Sequence, residues 1–471
     1  MSKSVSALLV SLVLLVGLIW MVAGSGSRPE TTNPNGDAGG DDSQIEITLY
    51  CAASNRAVME EIRKDYEEET GRKVTIQYGP SQTLLSQLEI AQTGDLYLPA
   101  DDSFLGMGKE KKLIREELSV ARMQAGLAVP AGNPQNIETL ADAIAKKVRI
   151  VQANPEAAAV AKLTKQVLSN TGTWTTLDQA TTAYRTTVTD VANDLLVGAA
   201  DAGIVYDAVL HTYPKLEFVA IPELQPAASL IALGVLEFSS QPTAALHFAR
   251  YVTARDRGLK HYSEHGFQVA SGDAWADVPE ISVYAGSMLR PAIEDTIVAF
   301  EEREGVKVSR VYNGCGILVA QMKAGQHPDA YFACDKEFMS QVTDLFPEAV
   351  DVSQNELVIL VQKGNPKQLA SLKDLGKEGL RVGVGHEKQC AMGWITQNTL
   401  REGGIQKEVM ANVTVQSPTG DMLVNQMLTG SLDAAVVYLS NAAGAGAKLD
   451  ALAIQGIECS TATQPWAVAQ E

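Results

Sequence analysis

The chain has 471 residues, 46% of them apolar and 20% charged, which is enough material for more than one buried core and excludes wholesale disorder. Its net charge of −18, from 38 basic and 56 acidic side chains with no Lys/Arg cluster, excludes nucleic acid as a partner. Five cysteines (Cys51, Cys315, Cys334, Cys390, Cys459) at irregular spacing, with no CxxC pair, argue against a disulfide framework or a structural zinc site, although export leaves one isolated disulfide chemically possible.

The chain opens with Lys3 ahead of an almost uninterrupted apolar run from Val5 to Ala23, the pattern of an export signal. The run is long enough to span a bilayer as an uncleaved anchor, while Val22-Ala23-Gly24 offers the small residues a signal peptidase accepts. No cysteine follows it, so a lipobox is absent. Residues 1–24 therefore read as a signal peptide or membrane anchor, and 25–43, rich in Gly, Pro, Asn and Asp, as a flexible linker.

The next elements alternate. "IEITLY" reads as a strand, and "NRAVMEEIRKDYEEETG" as a helix with Val58, Ile62 and Tyr66 on one face and Gly71 as its stop. "KVTIQYG" is a second strand, "SQTLLSQLEIAQTG" a second helix and "DLYLPA" a third strand. "VRIVQA", a helix from about Glu156, "DAGIVYDA" and "LEFVAI" follow. This order predicts an α/β fold with a mostly parallel sheet and helices on both faces.

The pattern then repeats. Tyr50 pairs with Tyr284, Arg56 with Arg290, Gly71 with Gly305, Gln87 with Gln321, Asp95 with Asp329 and Asp101 with Asp335, always at a difference of 234 residues; Asn193 pairs with Asn425, Asp201 with Asp433 and Tyr206 with Tyr438 at 232. A whole domain has been duplicated. We place the first module at residues 44–273 and the second, C-terminally shortened, at 279–471, each built of two α/β lobes around a cleft.

The most clearly repeated positions lie in loops between a strand's C-terminal end and the next helix, where open α/β sheets hold their ligands. In the first copy "CAASN", "GPSQ", "ANPEAAA" and "VTDVAN" present hydroxyls and backbone N–H groups at helix starts, an anion site that needs no basic side chain. Taken alone, Ser54 and Ser81 read as helix N-caps, Tyr206 as a buried aromatic at a strand end, and Asp201 and Asp433 as turn residues; Met392 and Trp394 read as core. Catalytic and metal motifs are missing: the six histidines show no metal-binding spacing, and no GxSxG or Walker loop occurs. His386 and Cys390, close in sequence, permit a thiolate–imidazole pair.

Residues 45–269, through "ITLYCAASNRAVMEEI", "NPEAAAVAKLTKQVL", "DVANDLLVGAADAGIVYDA" and "FARYVTARDRGLKHYSEHGFQ", resemble the molybdate/tungstate-binding proteins of ABC importers, within the type II periplasmic binding fold. The resemblance implies a binding protein that is not an enzyme and carries no metal or other cofactor. It would be exported, either periplasmic or anchored to the outer face of the inner membrane by an uncleaved N-terminal helix. Its partners would be a small tetrahedral oxyanion and the importer's membrane subunits. Carried over residue by residue, the ligand would be held by Ser54, Ser81, Tyr206 and backbone amides at Ala159 or Val160 and at Val191. The second copy departs from this pattern. Met288 replaces Ser54, with Ser287 one position earlier, and Cys315 replaces Ser81; thiols are weak donors, so amides near Gly314 and Gly316 would have to compensate. Cys390, Met392, Asp421 and Met422 stand in its helix-start loops, and Tyr438 is retained. The second-module candidates are thus Ser287, Cys315, Gly316, Cys390, Met422 and Tyr438. A membrane-anchored sensor ectodomain and a thiol-dependent secreted enzyme remain as alternative readings.

Overall fold

The computed structural model describes residues 45–470, so the segments read as signal or anchor and as linker lie outside the described residues. Among the described residues no helix is long and apolar enough to cross a membrane.

The first sheet uses β1 (Glu46–Ala52), β2 (Lys73–Gly79), β3 (Leu96–Leu98), β4 (Ile114–Pro130), β5 (Ile150–Ala153), β6 (Thr181–Arg185), β7 (Ala202–Tyr206), β8 (Leu216–Val219), β9 (Ala228–Leu236) and β10 (Gln268–Val269). Its order is β2-β1-β3-β9-β4-β7-β5-β6, with β8 and β10 paired to β4. The second copy repeats this with β11 (Glu280–Gly286), β12 (Lys307–Asn313), β13 (Ala330–Phe332), β14 (Val350–Gln362), β15 (Val382–Gly385), β16 (Val413–Ser417), β17 (Ala434–Tyr438), β18 (Leu449–Ala453) and β19 (Thr461–Val468), in the order β12-β11-β13-β19-β14-β17-β15-β16. The tandem two-lobed α/β architecture expected from the sequence is present.

The sheets are mixed, which corrects the expectation of a mostly parallel one. β1, β2 and β3 are parallel, as are β5, β6 and β7, but β4 and β9 run antiparallel to their neighbours and to each other. The reason is that β4 is shared by both lobes. Its residues Ile114–Gln124 pair with β9 in one lobe, and Ala125–Ala128 pair with β7 in the other. At the changeover, the Gln124 carboxamide donates to the Leu224 and Ala227 carbonyls at 2.7 and 3.0 Å, and its backbone N–H donates to Asp207 at 2.9 Å. β14 changes partner in the same way between Glu356 and Leu357.

Helix Arg56–Thr70 buries Val58, Met59, Ile62 and Tyr66 and ends at Gly71, whose φ of 74° is the left-handed conformation that glycine adopts without a Cβ clash. Its buried face is covered by helices Pro242–Thr253 and Gly258–Glu264: Tyr66 packs edge-on against Phe248 and Tyr251, with ring centroids 4.7 and 5.1 Å away, and its hydroxyl lies 2.8 Å from Nδ1 of His247. The equivalent helix Arg290–Glu304 buries no residue, and Val298 and Phe300 are exposed; among the described residues of the second copy no helix stands as a counterpart of those two covering helices. What it gains is a cap from the first copy. Thr243 donates to the Glu302 and Arg303 carbonyls at 2.9 Å each, Arg250 donates to the Glu304 carbonyl, and Arg303 pairs with Glu116. Carbonyls left over at a helix C-terminus accept such donors readily, and cations are favoured there.

Several repeated aspartates hold backbone. Asp201 takes the Arg149 guanidinium and N–H, and Asp433 takes those of Arg381; Asp95 accepts from the Thr48 N–H, and Asp329 from that of Ser282. Asp201 and Asp433 are therefore ion-paired anchors as well as turn residues.

Because the covering helices and β10 all lie before residue 274, we expect a fragment of residues 44–273 to unfold in one cooperative transition in urea, followed by circular dichroism. A broad, non-cooperative melt would show that the first copy needs the second to fold.

Candidate functional site

Six segments of the first copy meet at one small cavity between its lobes. It is lined by Ala52, Ala53 and Ser54 after β1, by Gly79, Pro80 and Ser81 after β2, by Ala100 after β3, by Ala158, Ala159 and Val160 after β5, by Thr187 and Val188 after β6, and by Tyr206 at the end of β7. Parallel β-α units force this convergence, since each helix begins where its strand ends. Helices Ser81–Ala91, Ala159–Asn170 and Val188–Leu196 thus all point their N-termini at the cavity, each carrying roughly half a positive charge. No basic or acidic side chain lines it.

The cavity encloses about 20 Å³ of solvent-accessible space, a sphere with a radius of roughly 1.7 Å. That room suits a compact ion. The lobes touch across it: the Gln82 N–H, in the first turn of one helix, donates to the Ala157 carbonyl of the opposite lobe at 3.1 Å.

The hydroxyls differ in how they are held. Ser81 Oγ accepts from the Ala100 N–H at 3.1 Å, which fixes the oxygen and leaves its O–H free to donate. The Ser81 carbonyl in turn accepts from the buried Tyr97 hydroxyl at 2.7 Å. Ser54 is buried, with the Asn55 carboxamide 3.5 Å from its Oγ. Tyr206 is fully buried, yet its hydroxyl has no hydrogen-bond partner. Ser229 is nearby but turns its own hydroxyl to the Ala100 carbonyl and the Asp101 carboxylate. Burial pushes the Tyr206 pKa far above its ordinary value, so it is a neutral O–H donor at any physiological pH. An unpartnered buried donor is costly, and here it faces the cavity.

Of the residues carried over from the sequence, Ser54, Ser81, Ala159, Val160 and Tyr206 line this cavity. Helix geometry leaves the Ala159 and Val160 N–H groups without an intrahelical acceptor. Val191 does not line it, which is a correction. It lies one turn inside its helix, fully buried, with its N–H donated to the Thr187 carbonyl. Thr187 and Val188 take its place. The sequence does carry the signal for this: Thr187 and Asp190 form a capping box, which puts the helix start at Val188. Ala100, also overlooked, is the residue whose N–H orients Ser81.

The second copy assembles the same positions from different atoms. Gly286, Met288, Cys315, Cys334, Cys390, Met392, Thr419, Gly420 and Tyr438 stand where Ala52, Ser54, Ser81, Ala100, Ala158, Val160, Thr187, Val188 and Tyr206 stand in the first. Cys315, Cys390 and Tyr438 are buried; the Tyr438 hydroxyl, like that of Tyr206, has no partner. Met288 is buried with its sulfur 3.3 Å from the Gln464 carboxamide nitrogen. Gly316 cannot supply an amide, because its N–H donates to the Gln389 carbonyl at 3.0 Å, and the Gly314 N–H is taken by the Asn313 side chain at 2.9 Å. Met422 is about half exposed on the outer side of helix Gly420–Leu428, and Asp421 accepts from the Asn441 carboxamide at 2.8 Å. Ser287 is only half-buried, in the short 3-10 turn Ser287–Leu289. The His386–Cys390 pair does not form: His386 Nδ1 accepts from the Lys388 N–H, the Cys390 thiol contacts the Ser417 carbonyl, and burial pushes that thiol's pKa up to about 12.

The family model for bacterial extracellular solute-binding proteins matches residues 47–268 and again 281–470. The molybdate-binding protein ModA of Mycobacterium bovis is 28% identical over 262 residues, covering 55% of this chain and 95% of its own. ModA of Escherichia coli is 26% identical over 231 residues, covering 44% and 88%. Among solved structures, the periplasmic molybdate-binding protein of Azotobacter vinelandii aligns with a TM-score of 0.42 at 15% identity, covering 48% of this chain and all of its own.

Removing the Tyr206 hydroxyl should leave the ligand-free protein as stable as before, since Tyr206→Phe deletes a donor that has no acceptor. Ser81→Ala strips the Ala100 N–H of its partner and should cost about 1–3 kcal/mol. Urea denaturation without ligand reads both. A loss above about 1 kcal/mol for Tyr206→Phe would mean that its hydroxyl already has a protein partner.

Proposed function

The chain belongs to the bacterial extracellular solute-binding proteins, as two copies in tandem, and on that premise we propose that its first module captures a molybdate- or tungstate-like oxyanion for the membrane subunits of an ABC importer, without performing chemistry on it. The observation that carries this reading is the buried, unpartnered Tyr206 hydroxyl aimed into a cavity of about 20 Å³ whose other walls are helix-start amides and serines. Such a site offers donors on every side. No carboxylate lines it, so nothing is placed to take the proton of hydrogen phosphate, whereas molybdate and tungstate are fully deprotonated at neutral pH. Between these ions and sulfate, the names of the curated relatives favour the larger metal oxyanions.

In the second module the Ser54 and Ser81 hydroxyls are lost and the Gly314 and Gly316 amides are already bonded, so it does not bind the same ion tightly. Calorimetry on the full chain should give one tight equivalent of molybdate or tungstate. Ser81→Ala combined with Tyr206→Phe removes two hydrogen bonds to a charged group, each about 1.5–3 kcal/mol, and should weaken binding at least about a hundredfold. Two equivalents of similar affinity would overturn the assignment to one module. Tighter binding of sulfate or of an organic anion would overturn the choice of ion.

A further inference from the structure

The second copy places two cysteines where the first has a serine held by a backbone amide. Cys315, the first residue of helix Cys315–Lys323, and Cys334, just after β13, are both buried, and their Sγ atoms lie 2.9 Å apart. The Cys334 N–H also points at Cys315 Sγ, at 3.2 Å, matching the Ala100 N–H on Ser81 Oγ at 3.1 Å in the first copy. Two unbonded sulfurs prefer to sit well beyond this separation, and a disulfide brings them closer still. The pair is also sealed in. A Cβ on Gly286 would fall 1.9 Å from Cys334 Sγ and 3.0 Å from Cys315 Sγ, so at this point β11 tolerates only glycine.

We propose that Cys315 and Cys334 are joined by a disulfide in the mature protein. Two S–H bonds are lost and one S–S bond forms. The two electrons and two protons pass to the disulfide of an oxidant, either a small-molecule disulfide or a thiol-oxidising protein of the extracytoplasmic compartment, which leaves as two thiols. Because burial shields the pair in the closed fold, the bond forms during folding outside the cytoplasm. Export of this family meets that condition.

The consequence is specific to the second cleft. The bond ties a helix start to a strand end within one lobe, so it leaves the movement of the lobes free. It removes the only S–H at the position where the first module offers the Ser81 hydroxyl. The inference concerns the second module alone and holds whatever ion the first one captures.

The test uses the full chain, purified, equilibrated with oxidised glutathione, quenched in acid and alkylated with N-ethylmaleimide in denaturant. Cys51, Cys390 and Cys459 should be labelled, the peptides carrying Cys315 and Cys334 should be joined, and reduction should make all five cysteines reactive. Five labelled cysteines before reduction, or a bond between any other pair, would overturn the proposal. Cys315→Ser with Cys334→Ala restores the first module's pair and supplies a second measurement. Reductant should lower the melting temperature of the wild-type chain and leave that of the double variant unmoved. An equal response from both, or none from the wild type, would overturn it.

Discussion

No cationic side chain lines the cavity of the first copy, and the electrostatics of its cleft follow from that constraint. The only positive potential at the cleft comes from N–H groups at helix starts, and a helix start is useful only if it is brought to the same point as several others. Parallel β-α units do this on one edge of a sheet. Two lobes facing each other double the number of helix starts, and β4 fixes their relative placement by belonging to both sheet halves. The closing bond from Gln82 to the Ala157 carbonyl then shuts the cavity with backbone groups alone.

Duplication preserved this scaffold more faithfully than the site. The Asp201–Arg149 pair reappears as Asp433–Arg381, the glycine that stops the first helix reappears with positive φ at Gly305, and the partner change along β4 reappears along β14. These interactions hold strands and helices in place whatever the cleft contains. The cleft itself changed from oxygen to sulfur. Met288, Cys315, Cys334, Cys390 and Met392 fill with polarisable, weakly donating atoms the space where the first copy keeps hydroxyls and small side chains. A cleft filled in that way packs well and donates poorly.

The seam between the copies supports a helix that is otherwise uncovered. Among the described residues, helix Arg290–Glu304 has no counterpart of the helices that cover Arg56–Thr70, and it buries nothing along its length. Its C-terminal carbonyls nevertheless receive Thr243 and Arg250 from the helix that covers the first copy, so one element closes one module and caps a helix of the next.

Much of this was legible in the sequence. Local signals sufficed for helix Arg56–Thr70, whose apolar face and terminal glycine follow from helical period and backbone sterics, and for β1, β2 and β5, which read as β-branched runs. The repeat at fixed offset determined that there would be two modules. The placement of Ser54, Ser81 and Tyr206 at one cavity was legible because they stand at strand ends, where topology leaves few places to go. What tertiary structure alone decided is non-local. The antiparallel course of β4 and β9 depends on which distant strands they meet, and no periodicity within either strand encodes that. The replacement of Val191 by Thr187 and Val188, by contrast, follows from a local signal, the Thr187–Asp190 capping box that sets the helix start. That the Gly314 and Gly316 amides are already taken, and that Cys315 touches Cys334 across nineteen residues of chain, depends on how separate loops fold onto one point. Sequence fixes which groups a chain can offer, while tertiary packing decides which of them stay unpartnered and face the cavity.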